Sequence, residues 1–98
     1  MDEPSAKAQA VLAVVEMIPA GSVMSYGDVA ECAGLGSARF VGHVLARFGD
    51  EVPWQRVVMS DGSCARHLAV EQLAFLRAER TPLAPDGRRV DMRLARLT

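Results

Sequence analysis

The 98-residue sequence has no long apolar run, two cysteines and a single lysine. Its apolar stretch Val11–Val15 ends at Glu16, well short of the ~20 residues that a membrane-spanning helix requires. The first residues, Met1–Pro4, are acidic, whereas a secretory signal begins with positive charge. We therefore expect a cytoplasmic protein.

Cys32 and Cys64 lie far apart and form no Cys-x-x-Cys pair. In a cytoplasmic chain such cysteines are ordinary thiols. A metal site would need both cysteines to converge with His43 and His67, and this spacing fits no common zinc pattern. The sequence therefore predicts neither a metal site nor a cofactor.

The two signs of charge are unevenly distributed along a chain of globular composition. Half of the residues are hydrophobic and 23% are charged, and the length suits one domain, which we expect to comprise residues 1–98. Residues 1–38 contain one lysine and five acids, whereas residues 39–98 contain ten arginines and seven acids. Arginine is suited to phosphate contacts and stacking, although a codon or solubility bias would give the same count.

Two short helices in succession are predicted between residues 25 and 48. Ser25 and Asp28 form a near capping box that begins the first helix, and Gly34 is suited to end it. Ser37 caps the second helix, whose outer face is basic. Two helices joined by a glycine-containing turn are typical of a helix-turn-helix, and an ordinary helical hairpin with a solvated polar face is the alternative. The basic face consists of Arg39, His43 and Arg47.

The rest of the chain predicts two further helices and a little β-structure. Apolar residues at three- and four-residue spacing indicate helices over Ser5–Met17 and Leu68–Arg80. Trp54–Met59 is rich in β-forming residues and precedes a turn, which predicts a small hairpin or wing. Alternation over Val90–Leu94 predicts a terminal strand. The expected fold is mainly α with a small β hairpin or wing, a winged-helix-like helix-turn-helix domain.

Three segments in unbroken order resemble the DNA-binding domain of the O6-alkylguanine-DNA alkyltransferases. They are Ile18–Ala30, Ser37–Gly42 and Pro53–Val58. In the third segment the alkyltransferases carry Pro-Cys-His-Arg-Val, whereas this sequence has Trp54 at the cysteine position and Gln55 at the histidine position. That substitution is characteristic of the alkyltransferase-like proteins, the non-enzymatic relatives, which the chain resembles.

The chemistry of these positions agrees with a protein that is not an enzyme. Alkyl transfer needs a thiolate that a neighbouring histidine activates, and neither Trp54 nor Gln55 supplies such a group. Glu79 matches the glutamate that orients the family's histidine, and we expect it to be a structural residue at a helix end. Cys64 is the alternative nucleophile, but no histidine–carboxylate arrangement like that of the family surrounds it.

The resemblance implies a DNA-binding role for the helix-turn-helix. Arg39 is then the residue that fills the gap left by an extruded nucleotide, and Tyr26 crowds the phosphate on its 3′ side. Ala38 and Gly42 let the second helix enter the narrow minor groove. A phosphate-contacting Arg39 and a core-packed Tyr26 are the alternatives. The expected DNA-binding residues are Tyr26, Ser37, Ala38, Arg39, Gly42 and Ser63.

The resemblance also implies a pocket for the extruded base, with Trp54 as a flat apolar wall. A tryptophan that fills the core is the alternative. Arg66 and His67 border the pocket in the following loop, and their spacing does not decide which of them faces the base. The expected pocket residues are Tyr26, Pro53, Trp54, Arg66 and His67.

These inferences predict a protein that inserts its helix-turn-helix into the minor groove, flips O6-alkylguanine without alkyl transfer, and flags the lesion for nucleotide excision repair. The expected partners are double-stranded DNA containing O6-alkylguanine and nucleotide excision repair proteins. We expect a monomer associated with the nucleoid through DNA. The alternative is a winged-helix transcriptional regulator that binds undamaged DNA.

Overall fold

The computed structural model describes residues 3–97 and builds them from helices around a two-stranded sheet. None of the described helices has both the length and the apolar character needed to cross a membrane. The helices are α1 (Ala6–Glu16), α2 (Tyr26–Cys32), α3 (Ala38–Phe48), α4 (Ala69–Ala78) and α5 (Met92–Ala95). The strands are β1 (Met24–Ser25) and β2 (Val57–Val58), and short 3-10 turns occupy Gly49–Glu51, Trp54–Arg56 and Arg66–Leu68.

The first three helices each begin at a capping serine, and two of these serines, Ser25 and Ser37, are the predicted caps. The side chains of Ser5, Ser25 and Ser37 each accept a hydrogen bond from a backbone N–H in the first turn of the helix that follows. Ser25 and Asp28 form a complete capping box. Gly34, at a φ of +76°, follows α2 in the left-handed conformation that favours glycine. Local hydrogen bonds therefore determine where these helices begin, independently of tertiary packing.

The helix-turn-helix prediction is confirmed. α2 packs on α3, and α1 lies against both. Val15 from α1, Val29 from α2 and Val41 from α3 are fully buried in one apolar cluster. Because this cluster fixes the three helices relative to one another, the opposite face of α3 is left open.

The small sheet differs from the predicted hairpin. β2 pairs in parallel with β1, so that Met24 is opposite Val57 and Ser25 is opposite Val58. The predicted turn is present, since Met59 N–H donates to the carbonyl of Ser63 over 2.8 Å. However, Trp54–Arg56 coils into a 3-10 turn, which leaves only two residues to form a strand.

The predicted strand at Val90–Leu94 is wrong, because the chain there turns into α5. The Asp91 side chain accepts a hydrogen bond from the N–H of Arg93 over 3.0 Å and begins the helix. Alternation over so few residues cannot distinguish a strand from one capped helical turn. The segment after α5 returns to the helix-turn-helix, where Arg96 forms a salt bridge of 2.8 Å with Asp28.

A polar cluster holds the end of α4 against the turn at Trp54–Arg56. Arg56 forms a 2.7 Å salt bridge with Glu79 and donates to the carbonyl of Ile18 over 2.7 Å. Gln55 also donates to Glu79, over 2.9 Å. Glu79 is the C-cap of α4, which confirms its predicted structural role. The hydrogen bond from Arg56 lowers the pKa of Glu79.

We expect Gly62→Ala to destabilise the protein strongly. Gly62 has a φ of +89°, and a Cβ there would overlap the carbonyl oxygen of Val90. A backbone forced into such a conformation costs about 1–3 kcal/mol before the overlap is relieved. Urea unfolding should therefore show a loss of more than about 2 kcal/mol. Gly36→Ala is the control, because a Cβ at Gly36 meets nothing within 4 Å. Equal effects of the two substitutions would contradict this account.

We expect Glu79→Gln to lower the free energy of unfolding at neutral pH by about 1–3 kcal/mol and to weaken its acid dependence. Because the hydrogen bond from Arg56 lowers the folded pKa of Glu79, the stabilisation is complete above the ordinary pKa of an unfolded glutamate and is lost as the pH falls through the folded pKa. Urea unfolding measured from neutral to acid pH checks this, with Asp86→Asn in an exposed turn as the control. An acid dependence as steep in Glu79→Gln as in the unchanged protein would contradict it.

Candidate nucleic-acid interface

A cavity of about 730 Å³ opens beside the exposed face of α3. Its wall combines α3 with the first residue of α2, with Trp54 and with the start of α4. The volume lies within the range of about 300–1,000 Å³ that is usual for ligand sites. The cavity therefore lies between the helix-turn-helix and the segment that follows it.

One face of α3 lines this cavity with small and basic residues. The lining positions recur at three- and four-residue spacing, which places them on one side of a helix. A Cβ added to Gly42 would meet nothing within 4 Å, so the packing of the chain does not require glycine there. The exposed Arg39 lies in the first turn of α3. The lining residues that α3 contributes are Ala38, Arg39, Gly42, His43, Leu45 and Ala46.

Tyr26 places a phenol on the cavity wall from the first position of α2. Burial, and to a smaller extent the neighbouring Cys64, raises the pKa of Tyr26. The phenol is therefore neutral at physiological pH, and its O–H is available as a hydrogen-bond donor. The capping box at Ser25 fixes the residue, because the cap and Tyr26 are adjacent in the chain.

Trp54 forms another part of the wall and is half-buried. Its indole meets the ring of Phe75 edge to face, with ring centroids 6.0 Å apart. The backbone N–H of Trp54 donates to the carbonyl of Val52 over 2.7 Å. Since Phe75 packs against the ring and the polar cluster anchors the next two residues, the indole is held in place while part of it borders the open cavity.

His67 and Arg66 have different positions although they are adjacent. Both belong to the 3-10 turn Arg66–Leu68 that precedes α4, and both are exposed. His67 lines the cavity, whereas Arg66 is not among its lining residues. The structure therefore brings His67 to the predicted pocket.

The structure gathers most of the predicted site residues at this one cavity. Tyr26, Ala38, Arg39, Gly42, Trp54 and His67 line it. Ser37, Pro53, Ser63 and Arg66 are not among the lining residues of the described chain.

Two of the outlying residues have other contacts. Ser37 caps α3 by accepting a hydrogen bond from Phe40 N–H over 3.2 Å. The hydroxyl of Ser63, which was expected to bind DNA, donates to Asp61 over 2.6 Å.

Sequence reasoning missed several further lining residues, among them Met59, Leu68 and Glu71. Met59 directly follows the buried Val58, so a change from buried strand to exposed turn was the available signal. No comparable signal marks Leu68 or Glu71. They reach the cavity because α4 begins beside it.

The thiol of Cys64 is not activated as a nucleophile. Burial raises the pKa of Cys64, which disfavours the reactive thiolate. Among residues 3–97 no three histidine, cysteine or acidic side chains lie close enough to hold a metal ion. The arrangement is suited to binding through stacking, a cationic side chain and apolar contact.

Comparison with known proteins identifies relatives with related architecture. The chain is 44% identical over 66 residues to the DNA base-flipping protein of Escherichia coli, covering 64% of this chain and 51% of that protein. It is 44% identical over 55 residues to the DNA base-flipping protein of Vibrio parahaemolyticus, covering 53% and 55%. The chain thus spans about half the length of these relatives.

A solved structure extends the likeness over nearly the whole chain. The crystal structure of S. pombe Atl1 in complex with damaged DNA containing O6-carboxymethylguanine matches with a TM-score of 0.82 and 25% identity, covering 94% of each chain. The sequence model described as 6-O-methylguanine DNA methyltransferase, DNA binding domain, matches residues 6–81. With most of its length inside this match, the chain belongs to the family of the 6-O-methylguanine DNA methyltransferase DNA-binding domain.

Proposed function

We propose that this protein binds DNA containing O6-alkylguanine by turning the damaged nucleotide out of the duplex and into the cavity beside α3, without transferring the alkyl group. The observation that carries this proposal is that Arg39 of the helix-turn-helix and Trp54 line the same cavity. Extrusion of a nucleotide needs both a group that fills the vacated stack and a pocket that receives the base. Arg39 and Trp54 supply these two functions within one cavity.

The role of each side chain follows from its chemistry. The planar guanidinium of Arg39 can stack between bases and donate to the orphaned partner base at the same time. The neutral phenol of Tyr26 can donate to a phosphate beside the extruded nucleotide. Gly42 leaves space where the sugar–phosphate backbone approaches α3. Trp54 offers an aromatic face for stacking and for contact with an apolar alkyl group.

The groups at the site do not supply the chemistry that alkyl transfer needs. Trp54 stands where the alkyltransferases that the sequence resembles carry the accepting cysteine, and an indole has no nucleophilic atom suited to this reaction. The amide of Gln55 cannot remove a proton, and it already donates to Glu79. Cys64 is held as a thiol by burial. The S. pombe relative that binds O6-carboxymethylguanine DNA supports lesion binding by this architecture.

Since binding without transfer leaves the lesion in place, repair must come from another activity. We propose that the bound DNA is passed to nucleotide excision repair. We also propose that the protein acts as a monomer on nucleoid DNA in the cytoplasm.

Competitive binding of matched duplexes tests the proposed function. A duplex with O6-methylguanine should displace a labelled lesion duplex at much lower concentration than the same duplex with guanine. Equal competition, together with a preferred undamaged sequence, would favour a transcriptional regulator instead. Intact mass spectrometry after incubation with the lesion duplex should show an unmodified chain, and a methyl adduct would contradict the absence of transfer.

We expect Arg39→Ala to weaken binding to both the lesion duplex and the plain duplex. The guanidinium stabilises the gap that any extruded base leaves, so its removal affects both complexes. Fluorescence anisotropy titrations with each duplex measure the effect, and the control is Lys7→Ala, at an exposed residue of α1 that does not line the cavity. Unchanged affinity for the lesion duplex would show that Arg39 does not fill the gap.

We expect Trp54→Ala to reduce the preference for the lesion by about one to two orders of magnitude. Stacking of a base on an aromatic side chain contributes about 1–3 kcal/mol, whereas the helix-turn-helix contacts with plain DNA remain. In the unchanged protein, quenching of the fluorescence of this sole tryptophan should track occupancy by the lesion. Trp54→Cys should not restore transfer, because Gln55 cannot activate the thiol.

Phe75→Ala provides the matched control for Trp54→Ala. It removes the edge contact with the indole but takes away no lining residue of the cavity. We expect Phe75→Ala to lower the melting temperature and to reduce the preference for the lesion duplex less than Trp54→Ala does. If Trp54→Ala instead lowered the melting temperature and weakened both duplexes equally, the tryptophan would be a core residue.

A further inference from the structure

Arg89 has no role in the proposed function, although hydrogen-bonded backbone connects it to the wall of the cavity. Arg89 lies opposite Ser63 in an antiparallel bridge. Ser63 is in turn bonded to Met59, whose N–H donates to the carbonyl of Ser63 over 2.8 Å. Met59 lines the cavity. A continuous backbone ladder therefore leads from the cavity, through Ser63, to Arg89.

The side chains of this ladder alternate between the core and the outside. Val58 and Val90 are buried in the same apolar cluster. Their chain neighbours Met59 and Arg89 are exposed. Because successive residues of extended chain point to opposite sides, Arg89 emerges on the outer side of the ladder, as Met59 does.

Arg89 is held on a rigid support. Val90 N–H donates to the carbonyl of Gly62 over 2.9 Å, and Gly62 packs so closely on Val90 that no side chain fits between them. On the far side, the guanidinium of Arg77 donates to the carbonyl of Gly87 over 2.9 Å. The backbone that carries Arg89 is therefore fixed both to the turn at the cavity and to α4.

The spacing of the chains in this ladder is compatible with a contact between Arg89 and DNA whose extruded nucleotide occupies the cavity. Neighbouring extended chains lie about 4.8 Å apart, so two steps of the ladder place the backbone of Arg89 about 10 Å from that of Met59. Each DNA strand carries one phosphate per ~3.4 Å of helix axis. Where DNA runs along the ladder, an interval of about 10 Å spans about three phosphates of one strand, and a long flexible arginine side chain tolerates small differences in the path of the strand.

We propose that Arg89 contacts a backbone phosphate about three nucleotides from the extruded nucleotide, as a site separate from the cavity. This inference rests on the proposed function for the position of the DNA. The contact is to a phosphate and not to a base, so it adds affinity to lesion and plain duplexes alike. The carboxylate of Asp61, which interacts electrostatically with Arg89, opposes the phosphate and limits the gain.

The salt dependence of binding tests the contact. For the full chain, the slope of log affinity against log salt is measured with both duplexes. Arg89→Gln should reduce the magnitude of the slope by about 0.9, the value for one phosphate, with the lesion preference unchanged. Arg89→Lys should keep the slope. Asp61→Asn, which preserves the turn, should bind both duplexes about two- to fivefold more tightly at low salt.

Arg80→Asn is the charge-matched control. Arg80 follows α4 at the end remote from the cavity, and the helix from the lining residue Glu71 to its last residue, Ala78, is about 10 Å long. Its φ of +61° is one that asparagine tolerates. Arg80→Asn should leave the salt slope unchanged, and thermal melting should show that Arg80→Asn and Arg89→Gln are both folded.

The outcomes separate this inference from the proposed function. A slope for Arg89→Gln equal to that of the unchanged protein, or an equal reduction in Arg80→Asn, would overturn the phosphate contact. If the unchanged protein showed no preference for the lesion duplex, the proposed function would be contradicted. The salt slopes measured with plain DNA would still test the contact between Arg89 and a phosphate. No DNA binding by the unchanged protein would overturn both.

Discussion

The parallel pairing of β1 with β2 is the constraint that positions the whole interface. β1 leads without a break into α2, so its end determines where Tyr26 lies. β2 begins directly after the turn that carries Trp54. Two pairs of opposed residues, Met24 with Val57 and Ser25 with Val58, therefore bring an aromatic residue of the helix-turn-helix and the chain's only tryptophan to one cavity.

The same strands also divide the core into two. Met24 and Val57 belong to the cluster beneath the helix-turn-helix, whereas Val23 and Val58 belong to the cluster beneath α4 and α5. Alternation of side chains along extended chain produces this division. The polar cluster around Glu79 then reinforces the junction, because Gln55 and Arg56 of the turn at Trp54 donate to Glu79 at the end of α4, and Arg56 also donates to the carbonyl of Ile18. The cavity thus lies over a seam between two packed units and is built from both of them.

Local chemistry made part of this structure predictable, and long-range pairing did not. The helices followed from capping at Ser25 and Ser37, and the basic face of α3 followed from spacing alone. The partner of β2 could not be inferred, because a two-residue strand carries no pattern that names its neighbour. The capped turn at Asp91 could not be separated from a strand for a similar reason. Within the site, Arg39 and Trp54 followed from a family resemblance, whereas Leu68 and Glu71 are positioned only by tertiary packing.

Gly42 shows how the fold and the interface make opposing demands on one position. Glycine inside a helix is less stable than alanine by about 1 kcal/mol, and apart from the backbone of α3 itself none of the described residues lies within 4 Å of the position that a methyl group would take. The protein therefore forgoes available stability at the surface where DNA is proposed to approach. A screen for thermostable variants would favour alanine here, and it would thereby select against the open surface of α3. Stability and recognition therefore compete at one position, through the replacement of a hydrogen atom by a methyl group.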